Sequence, residues 1–132
     1  VLRFPLPLVA AVNGPAIAGG FDLAVLCDVR VAADTARFAH PERMLGPVVY
    51  APLRELVGGA TARDLCLTGR EIDAAEAHRL GLLRSVVPAE RVLDEALSVA
   101  SRTAEAPRDL LTTAKAKILR YAGIAAGGTL DL

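Results

Sequence analysis

The stretch VNGPAIAGGFDLAVLCD, residues 12–28, decides how the chain is read. A continuous apolar run, Leu8-Val9-Ala10-Ala11-Val12, closes there in Asn13-Gly14-Pro15. Such a run reads as a strand buried on both faces, and the Asn-Gly-Pro triplet as the turn that ends it. After Gly19-Gly20, the segment Phe21 to Cys27 is apolar nearly all round and predicts a short buried helix with an acid, Asp22, in its first turn. Asp28-Val29-Arg30-Val31-Ala32-Ala33 alternates and reads as a second strand, ended by Asp34-Thr35. Arg37-Phe38-Ala39-His40 is a brief extended piece stopped by Pro41. Glycine and carboxylate are both costly at the start of an apolar helix, so their presence calls for a reason.

Three chemistries use a glycine-rich turn between strand and helix. A dinucleotide site needs G-x-G-x-x-G, which Gly14, Gly19 and Gly20 do not form, and a phosphate loop needs Gly-Lys-Ser/Thr, which is absent. The third is an oxyanion site, where unpaired amides at a helix N-terminus meet a carbonyl that glycine lets approach closely. A carboxylate one turn further on then hangs beside that carbonyl, an arrangement suited to chemistry at the carbons next to it. The plainer alternative is that Gly19-Gly20 only lets the helix pack on the strand, and that Asp22 only favours the helix N-terminus. Glu42 tips the balance, since a second acid in apolar sequence is uncommon unless it is paired, capped or used. Asp22 and Glu42 together resemble a dyad that splits acid and base roles. His40 is a weaker candidate for ligand contact, since a histidine beside a proline turn is more often a surface or packing residue, and His78 lies on the polar face of its helix.

The rest of the chain predicts helices. Pro52 to Val57 is opened by proline and closed by Gly58-Gly59, and Thr61 to Leu67 ends at Thr68-Gly69. Asp73-Ala74-Ala75-Glu76 forms an acid-type capping box with Gly81 as the stop, and Leu82 to Val87 is a short strand ended by Pro88. From Glu90 to Ala104, Val92, Leu93, Ala96, Leu97 and Ala100 mark one helical face. Pro107 opens a last helix with Leu110, Leu111, Ala114 and Ile118 as its apolar positions; Lys115, Lys117 and Arg120 form a solvated face, and residues 123–128 loosen into a tail.

Composition narrows the function classes. The 132 residues form one domain at most and can bury a real core; they are 53% hydrophobic, but only 4% aromatic. Fifteen basic residues balance fifteen acidic ones, which leaves no basic stripe for nucleic acid. The longest apolar run, Pro5 to Val12, is far short of the ~20 residues of a membrane span, and Val1 to Pro5 lacks the order of a signal peptide. Cys27 and Cys66 have no metal-ligand spacing and read as reduced core residues of a cytoplasmic protein, with no metal expected.

The segment PLVAAVNGPAIAGGFDLAVLCDVRVAADTARFAHPERMLG, residues 7–46, resembles the core of the crotonase family, the enoyl-CoA hydratases and isomerases. LTGREIDAAEAHRLGLLRSVVPAERVLDEAL, residues 67–97, is similar to the segment that follows it, and the likeness covers nearly all of residues 6–120. The resemblance implies an α/β fold, a partial spiral of ββα turns over residues 1–48 with a helical C-terminal part over 49–132, one domain overall. It implies an acyl-CoA thioester as partner, with no cofactor beyond the coenzyme A of the substrate, and assembly as trimers or hexamers. Gly19 matches the glycine whose amide is half of the family's oxyanion hole. Asp22 and Glu42 fall on the two catalytic acids that handle water and proton in hydration of a 2-enoyl-CoA. Ala16, Gly20, Pro41, Leu45, Gly46 and Tyr50 are the expected substrate-binding residues.

This sequence also departs from the family pattern. Ala18 stands where the family carries the first of three glycines. Asp22 is one methylene shorter than the usual glutamate, although aspartate is also seen there in dienoyl-CoA isomerase relatives; a shift near 1 Å can matter greatly to catalytic geometry. Pro47 to Pro52 replaces a glycine-rich stretch and should reshape the acyl pocket. The resemblance further implies a preceding N-terminal part that supplies the second oxyanion amide and much of the coenzyme A surface. These 132 residues alone are therefore expected to be inactive and prone to aggregation or partner dependence. Two other readings stand beside hydration: double-bond isomerisation running mainly on Glu42, and a non-catalytic acyl-CoA-binding or assembly role.

Overall fold

The computed structural model describes residues 1–44 and 48–125. Its first elements are β1 (Val9–Val12), β2 (Ala16–Ile17), α1 (Gly19–Leu26), β3 (Val29–Ala33) and β4 (Arg37–Ala39). β1 pairs in parallel with β3, and β2 in parallel with β4. The second pair of strands therefore lies beside the first, one strand spacing (~4.8 Å) further on. Parallel neighbours need a crossover, and β2 with α1 supplies it. This is a spiral of ββα turns. Later residues extend both layers: β5 (Ile72–Asp73) joins β4 antiparallel and β6 (Ser85–Val87) joins β3 parallel. Two three-stranded sheets result, ordered β1-β3-β6 and β2-β4-β5. β2 and β5 are two residues each, too short to carry a hydrophobic period, so the sequence does not announce them.

The helices that follow are α2 (Ala51–Val57), α3 (Gly59–Thr68), α4 (Ala74–Arg79), α5 (Val92–Thr103) and α6 (Arg108–Tyr121). Their ends obey local chemistry. The Asp73 carboxylate accepts from the Glu76 amide at 2.8 Å and caps α4. At the other end Gly81, at φ +85°, donates to His78 O while Leu82 donates to Ala77 O, the paired bonds of a Schellman stop. No helix of the described residues is long and apolar enough to cross a membrane.

β3 is buried on both faces. Ala32 joins the main core with Phe21, Phe38, Leu53, Leu65 and Ile72, while Val31 and Ala33 pack on Val92, Ala96 and Val99 of α5. Arg30, on the same strand, is only 5% exposed. Its guanidinium donates to Leu82 O at 2.7 Å and to Cys27 O at 2.6 Å, with longer contacts to Ala24 O and Asp28 O. The Ala24, Cys27 and Asp28 carbonyls lie at and just past the end of α1, where the helix is electronegative, so a buried cation is well placed.

The C-terminal helices correct the expected faces. Leu93 and Leu97 of α5 are exposed and Val99 takes the core position instead. On α6, Leu110 and Ile118 are exposed, while Lys115, expected in solvent, is 4% exposed. Its ammonium donates to Leu6 O at 2.9 Å and to Asp28 Oδ2 at 2.8 Å, and the same Asp28 oxygen accepts from the Leu8 amide at 2.7 Å. A buried ammonium needs such acceptors, and helical periodicity cannot reveal partners this far away in the chain.

α1 begins at Gly19, earlier than the sequence suggests, so both glycines lie in its first turn. The residue before it, Ala18, sits at φ +56°, ψ −127°, a region that a Cβ disfavours. The backbone is held there from both sides: Ala18 N–H donates to Ala39 O, and Ala18 O accepts from the Phe21 and Asp22 amides.

Two stability predictions follow from these ties. Relief of strain worth ~1–3 kcal/mol at Ala18 outweighs the ~0.4–1 kcal/mol of added unfolded-state entropy. Ala18→Gly should therefore stabilise the protein by about 1 kcal/mol in denaturant unfolding, and a loss of stability would refute the strain. Lys115→Met should cost about 2–3 kcal/mol, below the range for a fully buried pair because Asp28 keeps the Leu8 amide and some water. Exposed Lys117→Met should stay within about 0.5 kcal/mol of wild type.

Candidate active site

The site forms where the N-terminal turn of α1 meets the end of β4. Phe38 and Ala39 are buried in β4, and the chain carries directly into His40, whose side chain is fully buried. Pro41 then opens a 3-10 turn over Pro41–Met44. Its fixed φ suits the first position of such a turn. The turn brings Glu42 back beside the strand end, so that its Oε1 lies 3.1 Å from His40 Nδ1. The His40 ring stacks on Phe21, with centroids 4.5 Å apart and planes 22° apart, and Phe21 in turn packs against Phe38.

Asp22 reaches the same nitrogen from α1. Its Oδ1 is 3.6 Å from His40 Nδ1, an electrostatic contact rather than a hydrogen bond, and accepts from the Val49 amide at 3.4 Å. Burial pushes the Asp22 carboxyl above its ordinary range; His40 and the Val49 amide pull it back, and Glu42 raises it further. Among the described residues, His40 Nε2 and Glu42 Oε2 are buried without a hydrogen-bond partner. Cys66 of α3 is close enough to feel both acids: burial, then Asp22 and Glu42, push its thiol up to about 11. At that value it is a core thiol rather than a nucleophile at neutral pH.

One donor atom each from Asp22, His40 and Glu42 lies within 4.8 Å of the others, a spacing that could also take a cation. Two carboxylates with unlike surroundings, facing one imidazole nitrogen, can hold one proton between them and pass it to or from a reactant.

The glycine turn also has open space around it. A Cβ on Gly19 or Gly20 would meet nothing within 4 Å, so close packing on the strand does not require either glycine. The first amides of a helix have no intrahelical acceptor. Those of Phe21 and Asp22 are taken by Ala18 O, and among the described residues nothing accepts from Gly19 or Gly20.

The residues expected at the substrate fall into separate places. Ala16 and Gly20 line an open cavity of about 430 Å³ between β1 and α1, together with Leu23, Ala24 and Cys27. Asp22 belongs to another face of α1, turned toward His40 and Glu42. Pro41 is exposed at the mouth of the 3-10 turn, and Tyr50 packs against the core, its hydroxyl 4.0 Å from where a Gly59 Cβ would sit. Leu45 and Gly46 lie outside the described residues. His40 is not a surface residue: it packs in the core against Phe21, and the two acids converge on it. The available signal was His-Pro-Glu at the end of an apolar strand, where a proline turn can fold position i+2 back onto position i.

Comparison with known proteins matches residues 1–126 to the enoyl-CoA hydratase/isomerase family model. A probable enoyl-CoA hydratase of Mycobacterium leprae is 45% identical over 118 residues, 86% of this chain and 46% of that protein. A monofunctional enoyl-CoA isomerase from M. smegmatis superimposes with a TM-score of 0.84 at 34% identity, covering 99% of this chain and 64% of that one. An enoyl-CoA hydratase from Bacillus anthracis gives 0.85 at 32% identity, over 99% and 52%. The chain thus spans about half the length of the curated relatives it matches. By sequence and by fold, it belongs to the enoyl-CoA hydratase/isomerase family.

Proposed function

We propose that the protein hydrates a 2-enoyl-CoA, with Asp22 and Glu42 as the acid–base pair and the Gly19 amide at the thioester oxygen. The observation that carries this reading is the convergence of both carboxylates on one buried nitrogen, at 3.6 and 3.1 Å from His40 Nδ1. Water adds through its oxygen to the carbon β to the thioester while the carboxylate pair takes one of its protons. The π electrons move to the carbonyl oxygen as an enolate, which the amide at the head of α1 stabilises. The pair then returns a proton to the α carbon, so that one water is consumed and the carboxylates end as they began. Burial favours a proton on Asp22, which supports keeping one shared proton in the pair. No separate cofactor enters this scheme, because the coenzyme A arrives as part of the substrate.

A second reading is double-bond isomerisation, in which one carboxylate moves a proton between two carbons. It is favoured by Glu42 Oε2, a buried carboxylate oxygen without a partner among the described residues, whereas Asp22 Oδ1 is engaged by Val49. The M. smegmatis neighbour is an isomerase by name.

Amide substitutions separate the two. Loss of enoyl-thioester absorbance from crotonyl-CoA, followed with this chain and with its whole reading frame, should fall about 10²–10⁴-fold for both Asp22→Asn and Glu42→Gln in a hydratase. If only Glu42→Gln matters, and a 3-enoyl-CoA is the substrate turned over, the isomerase reading stands instead.

Stability gives an independent check on Asp22. Because its folded pKa is raised, its contribution is full below the ordinary 3.8 and is lost as pH rises through the folded value. Asp22→Asn should therefore be more stable than wild type at pH 7, by about 0.5–2 kcal/mol. The advantage should shrink as pH falls toward 3.8; an advantage that does not change with pH would contradict the burial of a charged carboxylate.

A further inference from the structure

The acid pair could be held apart by backbone alone, but the structure places a third side chain between its members. We propose that His40 is a positioning residue for the reaction: its Nδ1–H fixes Glu42 through Oε1, keeps the Asp22 carboxylate alongside, and so leaves Glu42 Oε2 as the oxygen that meets the substrate. This inference rests on the carboxylate-pair reading above and deepens it.

Four observations support it. The ring is fully buried and clamped by stacking on Phe21, so its plane is fixed by the core rather than by solvent. Nδ1 is the atom turned to both acids, at 3.1 Å from Glu42 and 3.6 Å from Asp22, while Nε2 faces no partner among the described residues. An ionised carboxylate can only accept, so a hydrogen bond to it at this contact is donated by Nδ1, the tautomer in which Nε2 is bare. Finally, Glu42 has one oxygen engaged by that N–H and one buried without a partner, the asymmetry expected of a carboxylate held for proton transfer.

The function of His40 is thus to supply one N–H at one place. Asn offers an amide N–H close to the position of Nδ1 but leaves the remainder of the ring site empty. Leu fills the site and offers no donor. A packing residue and a positioning residue respond oppositely to these changes. His40→Leu should lower kcat on the order of 100-fold with KM within about threefold, as expected when a reacting group loses its orientation. His40→Asn should be the less stable variant in thermal unfolding, because it leaves a cavity, and yet keep kcat within about tenfold of wild type. If activity instead follows stability, with His40→Leu the more active of the two, His40 only packs and the proposal is overturned.

A readout without turnover completes the test. In ¹⁵N-labelled protein the His40 ring should show its hydrogen on Nδ1 and a bare Nε2, and Glu42→Gln should perturb the Nδ1 signal. A ring protonated on Nε2 alone would overturn the proposal whatever the activity. Should wild type turn over neither 2-enoyl- nor 3-enoyl-CoA while the Nδ1–H signature is present, the acyl-CoA reading fails and the bridging role of His40 survives. Should both amide variants be inactive and His40→Leu be unimpaired, the acid pair stands and His40 falls.

Discussion

The buried guanidinium of Arg30 is the tie on which the site depends. It gathers carbonyls from the last turn of α1, from the turn beyond it and from Leu82, and so fastens the C-terminal end of α1 to the segment that leads into β6. Burial works against its charge, and the short contacts to Leu82 O and Cys27 O offset that cost. The opposite end of α1 is fastened by Ala18, whose amide bonds to Ala39. A helix of eight residues pinned at both ends has little freedom to tilt. Asp22, one turn from its start, is therefore held over the residue that follows Ala39, which is His40. The constraint that builds the spiral and the one that aims the first acid are the same pair of ties.

The strained turn before α1 shows how a small change is absorbed. The spiral needs the chain to leave β2 and enter a helix within one residue, and that residue must adopt a positive φ. Glycine would do so freely. Ala18 accepts the strain because hydrogen bonds on both sides leave its peptide groups no alternative. Gly19 and Gly20, by contrast, have no special φ and open space where a Cβ would be, so backbone conformation does not explain them. What glycine provides there is access to the amides at the positive end of α1, which is the property an oxyanion site uses. In the same three-residue run, the residue under conformational demand is the alanine, and the two glycines leave the space outside open.

Much of this was legible in the sequence, and the unread parts have a common cause. The first strand, the glycine turn, the capped α4 with its Gly81 stop and the two acids are encoded within a few residues, and local rules find them. Lys115 was misread, and the acids around His40 went unseen, because both depend on partners outside the local pattern. The Lys115 ammonium finds Asp28 across 87 residues of sequence, and a helical wheel sees only a charge among charges. His40 needed the 3-10 turn to bring Glu42 back and the spiral to bring Asp22 over, neither of which is visible in composition or periodicity. The exposed leucines of α5 and α6 mark the converse failure, since an apolar stripe at helical spacing states that a face is hydrophobic without stating that this molecule covers it.

The shorter first acid makes sense when the two carboxylates are compared at their shared nitrogen. Glu42 lies within hydrogen-bond distance at 3.1 Å, whereas Asp22 stands off at 3.6 Å and has the long contact to the Val49 amide. A donor favours the ionised form of the carboxylate it serves, and desolvation favours the protonated form of one left without. Asp22 is the member whose carboxyl burial raises, although His40 and the Val49 amide pull it back. With glutamate at position 22, a longer arm could compete for the same hydrogen and the pair would become more nearly equivalent. Aspartate, drawn back by a methylene, leaves the histidine nitrogen to Glu42. In this chain the departure from the usual acid and the histidine between the acids are therefore two parts of one arrangement, in which two carboxylates meet one nitrogen at unequal distances.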